Sequence, residues 1–175
     1  AKGPARTVPV ELTFTHQERT QELKASNVLG YIEGSDKKDE LVIVTAHYDH
    51  IGKQDGEVYN GADDDGSGTV ALLEIAEAFA RARAEGHGPR RSILFMPVSG
   101  EEKGLLGSEW YSTHPVFPLR NTVANLNIDM IGRVDSTHRT GDPYVYIIGS
   151  DRLSTELHRI SVEANATYTR LELDN

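Results

Sequence analysis

The sequence contains no cysteine among its 175 residues. A disulfide framework and a thiolate metal site are therefore excluded, and any bound metal must be held by imidazole and carboxylate groups. No apolar run approaches the roughly 20 residues that a membrane-spanning helix needs. Positive charge is also scarce, since 18 Lys and Arg face 27 Asp and Glu and leave a formal net charge of −9. This balance argues against nucleic acid and anionic membranes as partners.

The composition suits a single globular domain over residues 1–175, with 38% hydrophobic and 26% charged residues and no internal repeat or interdomain linker. The chain begins at Ala1 with neither Met nor a signal-like segment, and it ends in "YTRLELDN", which has the pattern of a strand. We therefore expect a piece of a longer chain that lacks its C-terminal segment.

Hydrophobic periodicity predicts strands that alternate with helices. The predicted strands are 7–14, 26–34, 41–46, 91–98, 123–128 and 144–149. The predicted helices are 67–85, 104–113 and 151–165. The polar stretch "SDKKDE" (35–40) has the composition of a hairpin turn. Strands that alternate with helices indicate an α/β layer fold with a largely parallel central sheet.

The stretch "GADDDGSG" (61–68) places Asp63, Asp64 and Asp65 side by side ahead of the first predicted helix. Acidic residues at a helix start are favoured by the free N–H groups there, but one aspartate is enough for that purpose. The glycine and glutamate offsets exclude an EF-hand calcium loop. By itself the stretch fits a helix cap and a cation site equally well.

Potential metal ligands directly follow three of the predicted buried strands. His47 follows the strand 41–46, Glu101 and Glu102 follow 91–98, and Asp129 follows 123–128. Each has an ordinary explanation, as a loop histidine, a helix start or a turn cap. In α/β sheets, however, the carboxyl ends of the strands meet at one edge, where ligands bind. The coincidence predicts a cation site, and imidazole with carboxylates favours Zn²⁺, with Co²⁺ or Mn²⁺ as substitutes.

So many carboxylates also indicate two ions, since a pair of divalent cations needs a bridging carboxylate and several anionic ligands. The motifs "TAHYDH", "NGADDDGSGTVALLE", "SGEEKGLLGS" and "LNIDMIGR" occur in this order over roughly residues 26 to 150. They resemble those of the co-catalytic zinc exopeptidases, the family of bacterial secreted and periplasmic aminopeptidases, glutamate carboxypeptidase and glutaminyl cyclases. This resemblance implies a three-layer α/β/α sandwich with a mixed, largely parallel sheet.

The resemblance also implies a role for each matching residue. His47 and Asp129 would hold one zinc, Glu102 would hold the other, and Asp64 would bridge them. Glu101 would be the general base, and the Asp49 carboxylate would orient the His47 imidazole. In the family the peptide bond after the bridging aspartate is commonly cis, so a cis Asp64–Asp65 bond is expected.

One departure concerns the family's fifth ligand, a histidine in a later Ser-Asp-His-like segment that has no match in this sequence. The remaining histidines are His16, His50, His87, His114, His138 and His158, and none has the sequence context of that ligand. With His47, Asp64 and Asp129 as its complete ligand set, the chain is expected to bind at most one zinc tightly and to show little peptidase activity.

The resemblance implies an aminopeptidase that hydrolyses N-terminal residues from peptides, with an extracellular or periplasmic location. Two alternatives stay open. A glutaminyl cyclase would use a similar ligand framework for aminoacyl transfer, and a catalytically inactive relative would serve as a binding ectodomain. The intact ligand motifs argue against the inactive form.

Overall fold

The computed structural model describes residues 9–18, 22, 24–138, 141 and 143–174. Its strands are β1 (Gly30–Ile32), β2 (Lys37–His47), β3 (Gly52–Gln54), β4 (Glu57–Tyr59), β5 (Arg91–Val98), β6 (Thr122–Asn127), β7 (Tyr144–Tyr146) and β8 (Glu172–Asp174). Its helices are α1 (Gly66–Ala84), α2 (Leu106–Thr113), α3 (Ser150–Leu153) and α4 (Thr155–Ala164). Short 3₁₀ turns span Glu101–Lys103 and Leu119–Asn121, and a π-helical turn spans Asn165–Thr169.

The central sheet has the strand order β1-β5-β2-β6 among the described residues. Strand β2 runs parallel to both β5 and β6, whereas β1 is antiparallel to β5 at one edge. Val44 in the middle of β2 pairs with Phe95 on one side and with Leu126 on the other. The prediction of a mixed, largely parallel sheet is therefore confirmed.

Helices cover both faces of this sheet. Alternate residues of β2 and β5 point to opposite sides, so each face of the sheet has its own buried cluster. On one face, Val44 and Phe95 pack with Leu72 of α1 in a buried cluster. On the other face, Ile43 packs with Tyr111 of α2 in a second cluster. The three-layer α/β/α arrangement is confirmed, and the near-continuous apolar runs of β2 and β5 follow from burial on both sides.

Two predictions about the N-terminal part were wrong. Positions 9–14 of the predicted strand 7–14 are irregular and exposed, with Phe14 at 85% exposure, while 7 and 8 lie outside the described residues. The turn at Ser35 and Asp36 does not close a hairpin, because β1 pairs with β5 rather than with β2. Alternating hydrophobicity specifies which face of a strand is buried, but it does not specify which strand lies beside it. Long-range packing decides that pairing.

The remaining elements follow the sequence with smaller differences. The predicted helix 151–165 divides at Ser154, whose hydroxyl caps α4 by accepting a hydrogen bond from the Leu157 amide at 3.1 Å. The predicted strand 144–149 contains β7, which pairs with β8 and not with the central sheet. Strands β3 and β4 form a hairpin that is not predicted above, although Asp55-Gly56 is a recognised two-residue turn.

No helix in the described part of the chain is long and apolar enough to cross a membrane.

Candidate metal centre

The predicted ligands come together at one edge of the central sheet. Strands β5, β2 and β6 are parallel, so their carboxyl ends lie at the same level, where ligands of α/β proteins bind. His47 ends β2, the 3₁₀ turn after β5 carries the two glutamates, Asp129 follows β6, and Asp64 lies just before α1. Four separate segments thus meet at one place, as the sequence predicts.

A first group of ligand atoms consists of His47, Asp64 and Asp129. The His47 Nε2 atom lies 3.0 Å from Asp64 Oδ1 and 3.9 Å from Asp129 Oδ1. Its Nδ1 atom is 2.9 Å from the Asp49 carbonyl oxygen, which only accepts, so Nδ1 carries a proton and Nε2 is the ring atom that faces the carboxylates. Imidazole with two carboxylates is a donor set that suits zinc, and the geometry fits such an ion.

The protonation of His47 reflects two opposing influences. Burial lowers the pKa of His47, whose side chain is 3% exposed, because the charged form is poorly solvated. The hydrogen bond to Asp49 and the surrounding carboxylates outweigh that effect, so the net shift of its pKa is upward. Without a cation, the cluster therefore attracts a proton to His47.

A second group consists of His50, Asp64 and Glu102. The His50 Nδ1 atom lies 2.7 Å from Glu102 Oε1. Asp64 belongs to both groups, which is the arrangement that a bridging carboxylate between two cations requires. His50 is one of the histidines set aside above for lack of the family's sequence context, although its position three residues after His47 was a signal that could have found it.

Glu101 stands beside the first group without belonging to it. Its Oε2 atom is 3.9 Å from His47 Nε2, and its backbone amide donates a hydrogen bond to Asp49 Oδ1 at 3.1 Å. Burial raises the pKa of Glu101, the His47 imidazole opposes that shift, and the neighbouring carboxylates reinforce it. A carboxylate with a raised pKa next to a metal position is chemically suited to accept a proton.

The Asp49 side chain occupies a different position from the one the resemblance implies. Its carboxylate is 3.9 Å from the His47 Nδ1 atom, beyond hydrogen-bonding distance, and it accepts from the Glu101 amide instead. The imidazole is oriented by the Asp49 backbone carbonyl. Asp49 thus contacts His47 through its main chain and the Glu101 segment through its side chain.

The other two aspartates of the triplet are held by the protein itself. Asp65 is 1% exposed and accepts hydrogen bonds from three backbone amides, which belong to His47, Gly68 and Met130. Asp63 accepts from the Gly132 amide at 2.7 Å. The expected cis peptide bond between Asp64 and Asp65 is present. Among the three, Asp64 is the one that both ligand groups share.

The five other histidines belong to neither ligand group among the described residues. His114 stacks on Trp110 of α2, and the His158 Nδ1 atom is 2.9 Å from the Ser150 hydroxyl. His16, His87 and His138 also lie outside both groups.

A cleft of about 620 Å³ opens beside the segment that carries Asp129. It is lined mainly by apolar and glycine residues, namely Ile131, Gly132, Arg133, Val134, Gly141, Pro143 and Tyr144. The Arg133 Nε atom lies 3.7 Å from Asp63 Oδ2, so the cationic side of the cleft points toward the aspartate loop. The cleft thus adjoins the segment that follows Asp129.

Comparison with known proteins is consistent with this geometry. Residues 27–172 match peptidase family M28. A probable glutamate carboxypeptidase of Arabidopsis thaliana is 30% identical over 170 residues, which cover 97% of this chain. The structure of a zinc aminopeptidase from Bacillus subtilis superposes with a TM-score of 0.65 and 30% identity over 85% of this chain. An Acidobacteriales bacterium glutaminyl cyclase gives a TM-score of 0.58 and 25% identity over 85% of this chain.

The chain spans only part of these proteins. It covers 23% of the length of the plant relative, 33% of the aminopeptidase and 50% of the cyclase. The aligned part includes the strands and turns that carry both ligand groups.

Proposed function

This chain belongs to peptidase family M28. We propose that it forms the N-terminal and central part of the single catalytic domain of a zinc-dependent exopeptidase of the aminopeptidase type. The observation that carries this proposal is the pair of ligand groups that share Asp64. A shared carboxylate between two His-carboxylate groups is what a co-catalytic pair of divalent ions needs. The likeness to a zinc aminopeptidase structure supports the same chemistry.

His47, Asp64 and Asp129 would hold one zinc, and Glu102 with Asp64 would contribute to the other. Zinc held by these residues would supply a Lewis acid that polarises the scissile carbonyl and would lower the pKa of a coordinated water toward neutrality. The chain supplies the fixed orientation of these ligands, since the Asp49 carbonyl sets the tautomer and the ring direction of His47.

We assign Glu101 as the general base. Its carboxylate lies at the edge of the first group, and its raised pKa makes it a better proton acceptor than an ordinary glutamate at neutral pH. Glu101 takes a proton from the attacking water and passes it to the leaving amine as the peptide bond breaks. The Asp49 carboxylate serves as a positioning group, because it holds the Glu101 backbone amide at 3.1 Å.

The substrate in this proposal is a peptide with a free N-terminus, from which one residue is released at a time. The cleft next to Asp129 would receive a side chain of that peptide. We also propose an extracellular or periplasmic location, which rests on the resemblance to secreted and periplasmic members of the family. Fractionation of cells that express the natural gene tests the location directly.

The substitution Glu101→Gln tests the assigned role. A neutral amide cannot accept the water's proton, whereas the ligands of both groups remain in place. In an active full-length form, kcat should therefore fall by about 10²–10⁴-fold with no loss of zinc. Hydrolysis of a leucine anilide and elemental analysis of the same preparation give the two readouts. A variant that loses zinc together with activity would show that Glu101 is a ligand rather than the base.

A substrate panel separates the proposed activity from its rivals. Aminoacyl anilides, peptides with a C-terminal glutamate and peptides with an N-terminal glutamine distinguish an aminopeptidase, a glutamate carboxypeptidase and a glutaminyl cyclase. Turnover of the anilides alone is the expected result. Turnover of another substrate in their place would reassign the reaction, and failure to turn over any of the three would favour a binding role.

A further inference from the structure

The loop that carries the two glutamates has an unusual backbone. Residues 99–107, which we call the glutamate loop, connect the end of β5 to the first turn of α2. Three of them, Gly100, Gly104 and Leu105, have positive φ angles of 73°, 100° and 61°. A leucine seldom adopts this left-handed conformation, so local preferences do not hold the loop in its shape. Contacts from other segments are therefore needed to fix the position of Glu101.

Asn27 bridges the two ends of the glutamate loop. Its Nδ2 atom donates a hydrogen bond to the Gly107 carbonyl at 2.7 Å, and its Oδ1 atom accepts one from the Ser99 amide at 3.2 Å. Both partners are remote from Asn27 in the sequence, by 80 and 72 positions. A side-chain amide suits this place, because it offers a donor and an acceptor side by side. Asn27 thus fixes the distance between the first and the last residue of the loop.

The start of α2 comes very close to this bridge. A Cβ atom on Gly107 would lie 2.4 Å from Asn27 Oδ1 and 2.3 Å from the Ser99 carbonyl oxygen, so any larger residue would clash there. The segment around Asn27 is itself anchored, since the Val28 amide donates a hydrogen bond to the Pro97 carbonyl of β5 at 3.0 Å. The bridge therefore joins the glutamate loop to a fixed point of the central sheet.

We infer that Asn27 is a positioning residue, which clamps the ends of the glutamate loop and so holds the Glu101 carboxylate in place. The inference rests on the proposed role of Glu101 as the general base. Asp49 holds the interior of the loop through the Glu101 amide, and Asn27 holds both ends. The Glu101 Oε2 atom then stands 3.9 Å from His47 Nε2. General-base catalysis depends on such fixed geometry, because a displaced carboxylate no longer reaches the proton that it must accept.

Hydrogen exchange in the metal-free protein tests the clamp without reference to activity. In Asn27→Ala the Ser99 amide loses its acceptor, so the amides of Ser99 and Glu101 should exchange about 10-fold faster. The Gly68 amide, which is bound by Asp65, should keep its rate. Asn27→Asp retains the acceptor but not the donor, and it should also accelerate exchange at Glu101. Equal acceleration at Gly68, or no change at Glu101, would overturn the inference.

Hydrolysis of a leucine anilide by the active full-length form tests the consequence for catalysis. Asn27→Ala should lower kcat by about 10–10²-fold with KM unchanged, because the base is displaced while the substrate contacts remain. Zinc content should also be unchanged, since the metal ligands outside the loop stay in place. In a Glu101→Gln background the same substitution should cost little more, because a residue that acts through Glu101 has no effect once that base is gone.

Ser108→Ala is the matched control for both measurements. The Ser108 hydroxyl makes one exposed hydrogen bond at the same helix start, to the Leu105 carbonyl at 3.0 Å, and its removal should leave kcat and exchange at Glu101 unchanged. An equal loss of kcat from Asn27→Ala in both backgrounds, or a loss of zinc, would contradict a role through Glu101. If the full-length protein hydrolyses no anilide, the proposed function fails, whereas hydrogen exchange still decides whether Asn27 holds the loop.

Discussion

At the scale of single residues, the three consecutive aspartates before α1 are stabilised in three different ways. Asp65 is surrounded by backbone amides, Asp63 accepts from the Gly132 amide and the Ser67 hydroxyl, and Asp64 faces the two ligand groups. The sequence suggests that metal neutralises the whole triplet. In the structure only Asp64 faces the ligand groups, because the carboxylates of Asp63 and Asp65 are bound by backbone N–H groups.

Asp65 is therefore expected to contribute more to stability than an ordinary helix cap. In Asp65→Ala, the buried amides of His47 and Gly68 and the partly buried amide of Met130 lose their acceptor. Loss of the cap to Gly68 costs about 0.5–2 kcal/mol, and each of the other two donors left unpaired adds roughly 1–3 kcal/mol, so the free energy of unfolding should fall by at least about 2.5 kcal/mol. Urea denaturation of the metal-free protein measures this loss.

Ser154→Ala is the matched control for that measurement. Ser154 caps α4 through one bond to the Leu157 amide, so its removal should cost about 1 kcal/mol. Similar losses in the two variants would mean that Asp65 is no more than a helix cap.

At the scale of elements, the register of the parallel strands assembles the site. His47 pairs with Val98 of β5, and Thr45 pairs with Asn127 of β6, so the three strands end at one level. The Thr45 hydroxyl also donates a 2.7 Å hydrogen bond to the Asn127 side chain. Because the ligands come directly after these strand ends, a shift of one residue in either register would turn a ligand away from the site.

The turn between β1 and β2 is tied to the segment before β5 by an ion pair. Arg90 donates hydrogen bonds to both carboxylate oxygens of Asp36, at distances from 2.7 to 3.1 Å. This bond to Arg90 lowers the pKa of Asp36 from its usual 3.8 to about 2, against the opposing effect of desolvation. The folded state therefore binds this proton less readily than the unfolded chain does.

The sign of the resulting pH dependence follows from linkage. The pair stabilises the fold above about pH 4, and this contribution disappears as the pH falls from about 4 to 2, when Asp36 is protonated in both states. A carboxyl titration by NMR should give a midpoint near 2 for Asp36, and Arg90→Gln should return it toward 3.8. An unchanged midpoint in the variant would assign the shift to another cause.

At the scale of the whole molecule, the metal ligands connect segments that are far apart in the sequence. The groups draw on the end of β2, the loop before α1, the turn after β5 and the residue after β6. The unfolded chain does not hold these groups together. Zinc should therefore bind the folded state in preference to the unfolded state and act as a cross-link.

Zinc is accordingly expected to raise the melting temperature. At a free concentration 100 times its Kd, one site adds about 2.7 kcal/mol of stability. For a chain of this size that corresponds to an increase of roughly 5–10 °C, measured by differential scanning calorimetry. EDTA should reverse the shift, and Mg²⁺ at the same concentration should produce little of it, since imidazole ligands favour zinc. An equal increase with Mg²⁺ would indicate nonspecific screening of the acidic cluster.

The sequence by itself determines the features that depend on residue type and short-range periodicity. The continuous apolar runs specify β2 and β5, the helical spacing specifies α1, and the residues that follow three strands specify the ligand types. The parallel arrangement then brings His47, Asp64 and Asp129 together without further information. These predictions succeed because each depends on neighbours within a few residues or on a general rule of sheet topology.

Only the tertiary structure decides which distant segments meet. It places β1 beside β5 rather than beside β2, and it leaves the alternating stretch around Phe14 exposed. It also brings His50 against Glu102, and it surrounds Asp65 with three amides. The physical reason is that these contacts, apart from the local bond between Asp65 and Gly68, join residues remote in sequence. Their free energy therefore depends on the packing of the assembled sheet and helices and not on the local pattern of either segment.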